Sequence, residues 1–343
     1  MTSVDEQAYL EHFEHFLIEE AGPNAGAMDR DGDVLRAGFE GFKREQGHLV
    51  QMPAKYGGRP LSPPAFAIFR MLLARYAGAL SFLQAQHQVA VSWLARAPDH
   101  ASSQQAFHAI LNSGLAMGIG FLSPRHQAFE IRRTEDGYVL SGEIPWVTGF
   151  GFLEQVVTSF EHEGVRHFCV LPFRSSVSGG GRLTYSDPVR LVVFDSLNTV
   201  RANLHAWPVA RDDVFLSLSG AAMAARERHN SVYTFAGGCQ ALRDLVGQLD
   251  QIPEGMALER DRLTERLNAY VEAIMVEGGS ASLLRAEGAR LGQGWSALAR
   301  WAYGGKSLLR DHPVNRLARE IWQYGVTAPR PDDLEAFYPS NPQ

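Results

Sequence analysis

Cysteine is nearly missing from this chain: Cys169 and Cys239 are the only two in 343 residues. Two thiols imply no disulfide framework and fit a reducing, cytoplasmic setting. No apolar run approaches the roughly 18–20 residues that cross a bilayer, so no membrane span is predicted. Basic charge is also short. Lysine and arginine total 32 against 38 acidic residues, a formal net charge of −6, and no basic stripe is offered to nucleic acid. The acidic, polar start Met-Thr-Ser-Val-Asp-Glu-Gln predicts neither a signal nor a transit peptide. Internal repeats, low-complexity tracts and a nicotinamide-binding βαβ pattern are all missing. Gly114, Gly118 and Gly120 have the wrong spacing for a dinucleotide fingerprint, and Gly304-Gly305-Lys306-Ser307 lacks the first glycine of a P-loop, Arg300 standing there.

What is present is an ordinary globular composition, 45% hydrophobic and 20% charged. The length supports a large core and more than one domain. Residues 1–112 read as helical. Tyr9, Leu10, Phe13, Phe16 and Leu17 recur at helical spacing until Ala21-Gly22-Pro23 stops them. His12 and His15 beside Glu11 and Glu14 read as a solvated face, since no further Glu-x-x-His element accompanies them, and no metal is expected. A loop at 52–62 precedes helical patterns at 64–77 and 81–95, with His87 in the second as a packing residue. Residues 113–220 switch to short strands and turns, a β-barrel or sandwich. Beyond a first strand at 115–122, strands are expected at 155–160, 167–172, 190–194, 199–206 and 214–217, with a Ser/Gly-rich loop at 175–181. Residues 221–343 return to helical patterns at 221–250, 254–277, 281–304 and 314–323, enough for a four-helix bundle.

The chain is organised around 135–150. Asp136-Gly137 predicts a tight hairpin with positive φ at both central residues. Tyr138 to Ser141 reads as a strand, and Gly142 and Pro145 predict a bend or an edge. Past the bend, Trp146 and Thr148 are two residues apart and would share a strand face. A broad ring and a hydroxyl suit a flat heteroaromatic cofactor, which needs a surface to stack on and a donor for a ring nitrogen. A half-buried edge strand with a core Trp fits the same pattern.

Asp136-Gly137-Tyr138-Val139-Leu140-Ser141-Gly142-Glu143, leading into Trp146-Val147-Thr148-Gly149, resembles the middle-domain signature of the acyl-CoA dehydrogenase superfamily. That signature runs Asp-Gly-Tyr-x-Leu-Asn-Gly-x-Lys-x-Trp-Ile-Thr-Asn/Gly; Ile144 replaces its Lys. Pro53-Ala54-Lys55-Tyr56-Gly57-Gly58 with Ser62 is similar to a turn in the family's N-terminal domain. Tyr303-Gly304-Gly305, followed by Pro313, Arg316 and Arg319, is similar to its Gln-x-x-Gly-Gly…Pro-x-x-Arg-x-x-Arg segment, with Trp301 in the Gln position. The resemblance spans nearly the whole chain. It implies an α+β fold: an N-terminal helical domain, a central β-barrel or sandwich domain, and a C-terminal four-helix bundle. It implies FAD, with Phe121, Leu122, Ser123, Trp146, Thr148 and Thr327 on the flavin, and Trp301, Gly304 and Gly305 reaching the adenosine of a flavin held by a neighbouring subunit of a homodimer or homotetramer.

Several positions depart from the family. Leu122-Ser123-Pro124 stands for Thr-Glu-Pro, and the glycines and Ser that follow it are replaced, Ala128 among them. Arg125 and His126 are charged candidates for the phosphates instead. Tyr324-Gly325-Val326-Thr327 stands for Tyr-Glu-Gly-Thr, so glycine occupies the usual base position. A second branch of the family takes its base from an earlier Glu-Arg pair, and Glu227-Arg228 makes Glu227 the candidate here. The reaction implied is α,β-dehydrogenation of an acyl thioester, a base on one side and flavin on the other, with an electron-transfer flavoprotein as acceptor. The alternatives are a flavin monooxygenase of the same fold, which needs no carboxylate base, and a scaffold that binds flavin or an acyl group without catalysis.

Overall fold

Helix α1 (Val4–Phe16) is closed at its start by a reciprocal pair. The Ser3 hydroxyl accepts the Glu6 N–H at 3.2 Å and the Glu6 carboxylate accepts the Ser3 N–H at 2.8 Å. Glu6 also accepts the Ser62 N–H at 2.6 Å, tying α1 to the start of the helix that begins at Pro63, and these N–H donors hold its pKa below the usual value. A computed structural model describes residues 2–121, 130–219, 231–276, 280–327 and 331–338. After α1 come α2 (Ala25–Met28), α3 (Gly32–Arg44), α4 (Pro63–Tyr76), α5 (Gly78–Leu94) and α6 (Ala101–Ser113). Phe13, Phe42 and Phe69 meet at ring separations of 4.8–6.3 Å in the middle of this group.

Among the described residues nine strands follow: β1 (Met117–Phe121), β2 (Glu130–Arg133), β3 (Gly137–Val147), β4 (Gln155–His162), β5 (Val165–Pro172), β6 (Ser176–Ser178), β7 (Gly181–Tyr185), β8 (Val200–Ala210) and β9 (Leu216–Ser219). They form a four-stranded sheet in the order β1-β4-β5-β9, with β1 parallel to β4, and a five-stranded antiparallel sheet in the order β2-β3-β8-β7-β6. The sheets face each other where Val147 and Ile144 of β3 reach Gly120 of β1. The bundle comprises α7 (Ser231–Gly247), α8 (Glu254–Met275), α9 (Ala281–Tyr303), α10 (Pro313–Val326) and the short α11 (Pro331–Phe337). Helix α7 crosses α4 so closely that a Cβ on Gly237 would lie 2.2 Å from the Met71 carbonyl oxygen. One apolar cluster threads Phe13, Leu83, Ile144, Phe235 and Ile321. The three helical, β and helical blocks therefore share a core. Among the described residues no helix is long and apolar enough to cross a membrane, and no group of acids, histidines and cysteines could hold a metal.

Some local expectations are corrected. The hairpin corner is Glu135-Asp136, closed by the Thr134 N–H on the Gly137 carbonyl at 2.9 Å, and Asp136 does not take positive φ. Gly137 instead opens β3, where a Cβ would sit 2.2 Å from the Val209 carbonyl oxygen. It is there for close approach of β8. Residues 190–194 form no strand: the Leu191 N–H goes to the Asp195 carboxylate at 2.9 Å, and Phe194 turns to φ 57°. The Ser/Gly-rich loop is the tight β6–β7 hairpin, and α11 is an element the hydrophobic pattern did not signal.

A single acid joins distant parts of the fold. Asp29, 2% exposed, accepts the Phe194 N–H at 2.7 Å and pairs with Arg319 of α10 at 2.9 Å. Arg319 also donates to the Val192 carbonyl.

Candidate functional site

Strand β3 loses register with β8 between Ile144 and Val147, where two residues of β3, Pro145 and Trp146, answer one of β8, Arg201. An extra residue in a ladder re-aims its neighbours. Ile144 and Val147 both point into the core, and Trp146 is turned out, 58% exposed. Thr148, half-buried just past the strand, shares a 3.0 Å hydrogen bond with the Thr199 hydroxyl. The chain beyond it is pinned by the Gly149 N–H on the Leu197 carbonyl at 2.9 Å and the Phe150 N–H on the Asn198 carbonyl at 3.2 Å. Trp146 and Thr148 therefore flank one corner of the β region, with the end of β1 packed behind it. There the ring of Phe121 is held edge-on by Trp93 and Phe168 at 5.9 and 6.1 Å.

The remaining predicted residues divide. Leu122 and Ser123 lie outside the described residues, as do Arg125, His126 and the candidate base Glu227. Thr327 caps α10, and its hydroxyl donates back to the Gln323 carbonyl at 2.7 Å. Trp301, 81% exposed, and Gly304-Gly305 lie at the far end of the neighbouring helix. Sixteen residues of α9 separate Trp301 from Arg285, about 24 Å along the axis. One copy of the chain does not bring these two groups together. A Cβ on Gly304 or Gly305 would meet nothing within 4 Å, so both present open backbone.

Beside Gly325 the bundle opens into a cleft of about 280 Å³ between α7, α9, α10 and α11. Phe235, Trp322, Leu334 and Phe337 are among the residues of its apolar wall. A Cβ on Gly325 would have only Phe235 Cζ near it, at 3.9 Å. The charged residues lining the cleft are Arg285 and Asp333, bonded to each other at 3.0 Å with side chains 4% exposed. Arg285 further donates to the carbonyls of Gly325 at 3.1 Å and Thr327 at 2.6 Å. An arginine thus closes the end of α10 and anchors α11.

Two other ionisable groups of α10 lie near Gly325 in sequence but do not line the cleft. The Glu320 carboxyl, fully buried and paired on one oxygen with Arg316 at 2.7 Å, is pushed up in pKa by that burial. Tyr324, buried edge-on to Phe235 at 6.0 Å, is raised for the same reason. Arg70 of α4 is lowered by burial to about 10. Arg70 Nε, Glu320 Oε2 and Tyr324 Oη have no hydrogen-bond partner among the described residues.

The sequence pattern missed the cleft. Its available signals were an arginine among the core positions of α9 and the glycine at 325.

No protein-family model matches the chain. No curated protein matches it either. Solved structures do. A nitrososynthase from Micromonospora carbonacea var. africana superposes with a TM-score of 0.80 at 16% identity, over 98% of this chain and 96% of that one. The FAD complex of PigA gives 0.79 at 11%, over 98% and 97%. Butyryl-CoA dehydrogenase from Megasphaera elsdenii gives 0.78 at 14%, over 95% and 94%. At such identities the likeness is one of architecture, and it extends from end to end: the chain has the acyl-CoA dehydrogenase fold.

Proposed function

We propose that the protein is a flavin-dependent oxidoreductase that uses FAD for oxygenation rather than for α,β-dehydrogenation. The flavin reading is supported by Trp146, a large flat side chain turned outward by a bulge, and by Thr148 beside it. It is supported as well by the likeness to an FAD complex. Trp146 would carry the ring system and Thr148 would supply a hydrogen-bond donor to it. Bound FAD would contribute two-electron redox chemistry and, when reduced, reactivity toward O₂.

One observation carries the choice of reaction. Dehydrogenation needs a carboxylate facing the substrate α-carbon. Gly325 has none, and Asp333, the acid among the described lining residues, is held by Arg285. Oxygenation asks the protein only to hold the substrate and exclude water: O₂ and two electrons from NAD(P)H yield one oxygenated product and one water. The likeness to a nitrososynthase over nearly its full length is consistent with this.

Dehydrogenation of an acyl thioester, with Glu227 as base and an electron-transfer flavoprotein as acceptor, is the second reading; the likeness to butyryl-CoA dehydrogenase favours it. Anaerobic mixing separates the two. The oxygenase reading expects acyl-CoA thioesters of any length to leave the flavin oxidised, while NAD(P)H with a flavin reductase bleaches it and O₂ is then consumed. Bleaching by an acyl-CoA, slowed by roughly 10²-fold in Glu227→Gln, would establish dehydrogenation instead.

A further inference from the structure

We infer that the cleft beside Gly325 is a binding site for a neutral, flat, two-ring aromatic molecule. That this molecule is also the oxygenated substrate rests on the reading above; the binding claim rests on the cleft alone.

Size sets the first limit. A dry apolar cavity of about 150 Å³ accepts benzene. The 280 Å³ here is a little under twice that, which suits two fused rings. It falls just below the usual range for drug-sized ligands, about 300–1,000 Å³. The wall sets the second. Phe235, Trp322 and Phe337 present ring surface from three different helices, and Ile321 and Leu334 fill between them. Rings gain by offset or edge contact with other rings beyond simple burial, so a flat aromatic guest uses this wall better than a flexible chain.

Charge sets the third limit. Arg285 and Asp333 neutralise each other, and the second Arg285 nitrogen is taken by two backbone carbonyls. An anionic or cationic guest would give up water and find no uncommitted opposite charge among the described residues that line the cleft; Arg290 and Arg300 stack on the Phe337 and Trp322 rings without lining it. The Gln293 amide, which also lines the cleft, can meet one ring N–H or hydroxyl. Gly325 leaves the space against Phe235 open.

The test uses the full-length protein with 2-naphthol as the neutral probe and 2-naphthoate as its charged counterpart, followed by calorimetry and by quenching of tryptophan emission. Naphthol should bind at one site per chain, and naphthoate at least about tenfold more weakly because its charge must be desolvated. Gly325→Phe projects into the open space from a position where an added Cβ has only Phe235 near it, so its Tm and flavin content should match wild type while naphthol binding is lost. Should that variant fold poorly, Ala289→Leu blocks the same cleft from α9. Equal affinity for the two probes, naphthol binding untouched by either variant, or failure of naphthol to bind at any concentration below its solubility would each overturn the proposal. Cleft closure by a second copy, seen as naphthol binding only upon dilution to monomer, would also overturn it. Naphthol that binds as expected but is never oxygenated would leave the site standing and refute only its use as substrate.

Discussion

His87 offers a quantitative test of the fold. It lies fully buried in α5, with Nε2 2.8 Å from the His48 carbonyl oxygen and Nδ1 3.1 Å from the Met117 N–H. The Met117 N–H must donate to Nδ1, so Nε2 carries the proton and the neutral ring is satisfied on both sides. One side chain thus ties α5 to the 47–49 turn and to β1. Burial lowers its pKa from 6.5 to about 4, with the hydrogen bond to the His48 carbonyl opposing and the charges of His48 and Lys43 adding to the effect. Because the unfolded ring takes its proton at the higher pH, the unfolded state is favoured as acid is added. The stabilisation is complete above pH 6.5 and is lost as pH falls from there toward 4. A difference of 6.5 − 4 corresponds to about 3 kcal/mol. His48, also lowered to about 4 by burial, steepens the same limb. Equilibrium urea unfolding at a series of pH values between 7 and 4 should therefore show a steep loss of stability. In His87→Gln, whose amide can replace both hydrogen bonds but cannot titrate, that loss should shrink by about half. Identical pH slopes in the two proteins would refute the buried neutral ring.

Other expectations follow from single contacts. Trp146→Ala should weaken FAD binding about fivefold or more with the fold intact, since ring stacking adds about 1 kcal/mol beyond burial; unchanged affinity in a flavin titration would remove Trp146 from the site. Asp333→Ala leaves the Arg285 charge buried without its acid, a change that costs about 3–5 kcal/mol in comparable pairs. Hydrogen exchange should then rise throughout α11, and unaltered protection there would show that the pair does not hold this helix.

Much of the architecture was legible in the chain because its signals are local. The helical periodicity of Phe13, Phe16 and Leu17 and the α4 and α5 patterns each mark an element that forms where expected. The spacing of Trp146 and Thr148 was legible, but it fitted a core Trp as well; the outward turn of Trp146 depends on a register shift visible only once β8 is alongside. What escaped depends on the approach of distant segments. Gly137 looks like a turn residue until the Val209 carbonyl is placed against it. Residues 190–194 have strand-like composition, but the Asp195 side chain takes the amide a ladder would have needed. The cleft is illegible for the same reason: Phe235, Ala289, Gly325 and Phe337 are strangers in sequence and become neighbours only through helix packing. Arg285 reads as a surface charge until Asp333 and two carbonyls enclose it.

Asp29 has a mechanical consequence. It clasps Arg319 and the Phe194 amide together, so α10 is fixed at its middle to both the first helices and the loop before β8. From Arg319 to Gly325 is less than two helical turns, a stiff lever about 9 Å long. A guest reaching the cleft cannot be admitted by a swing of α10 without breaking the two hydrogen bonds that Arg319 makes to Asp29 and to the Val192 carbonyl. Compliance has to come from the opposite wall, where the seven residues of α11 are held in part by Arg285 and Arg290. The bundle is thus built like a vice with one fixed jaw, and the arginines that grip the other jaw bear on how quickly a ligand comes and goes.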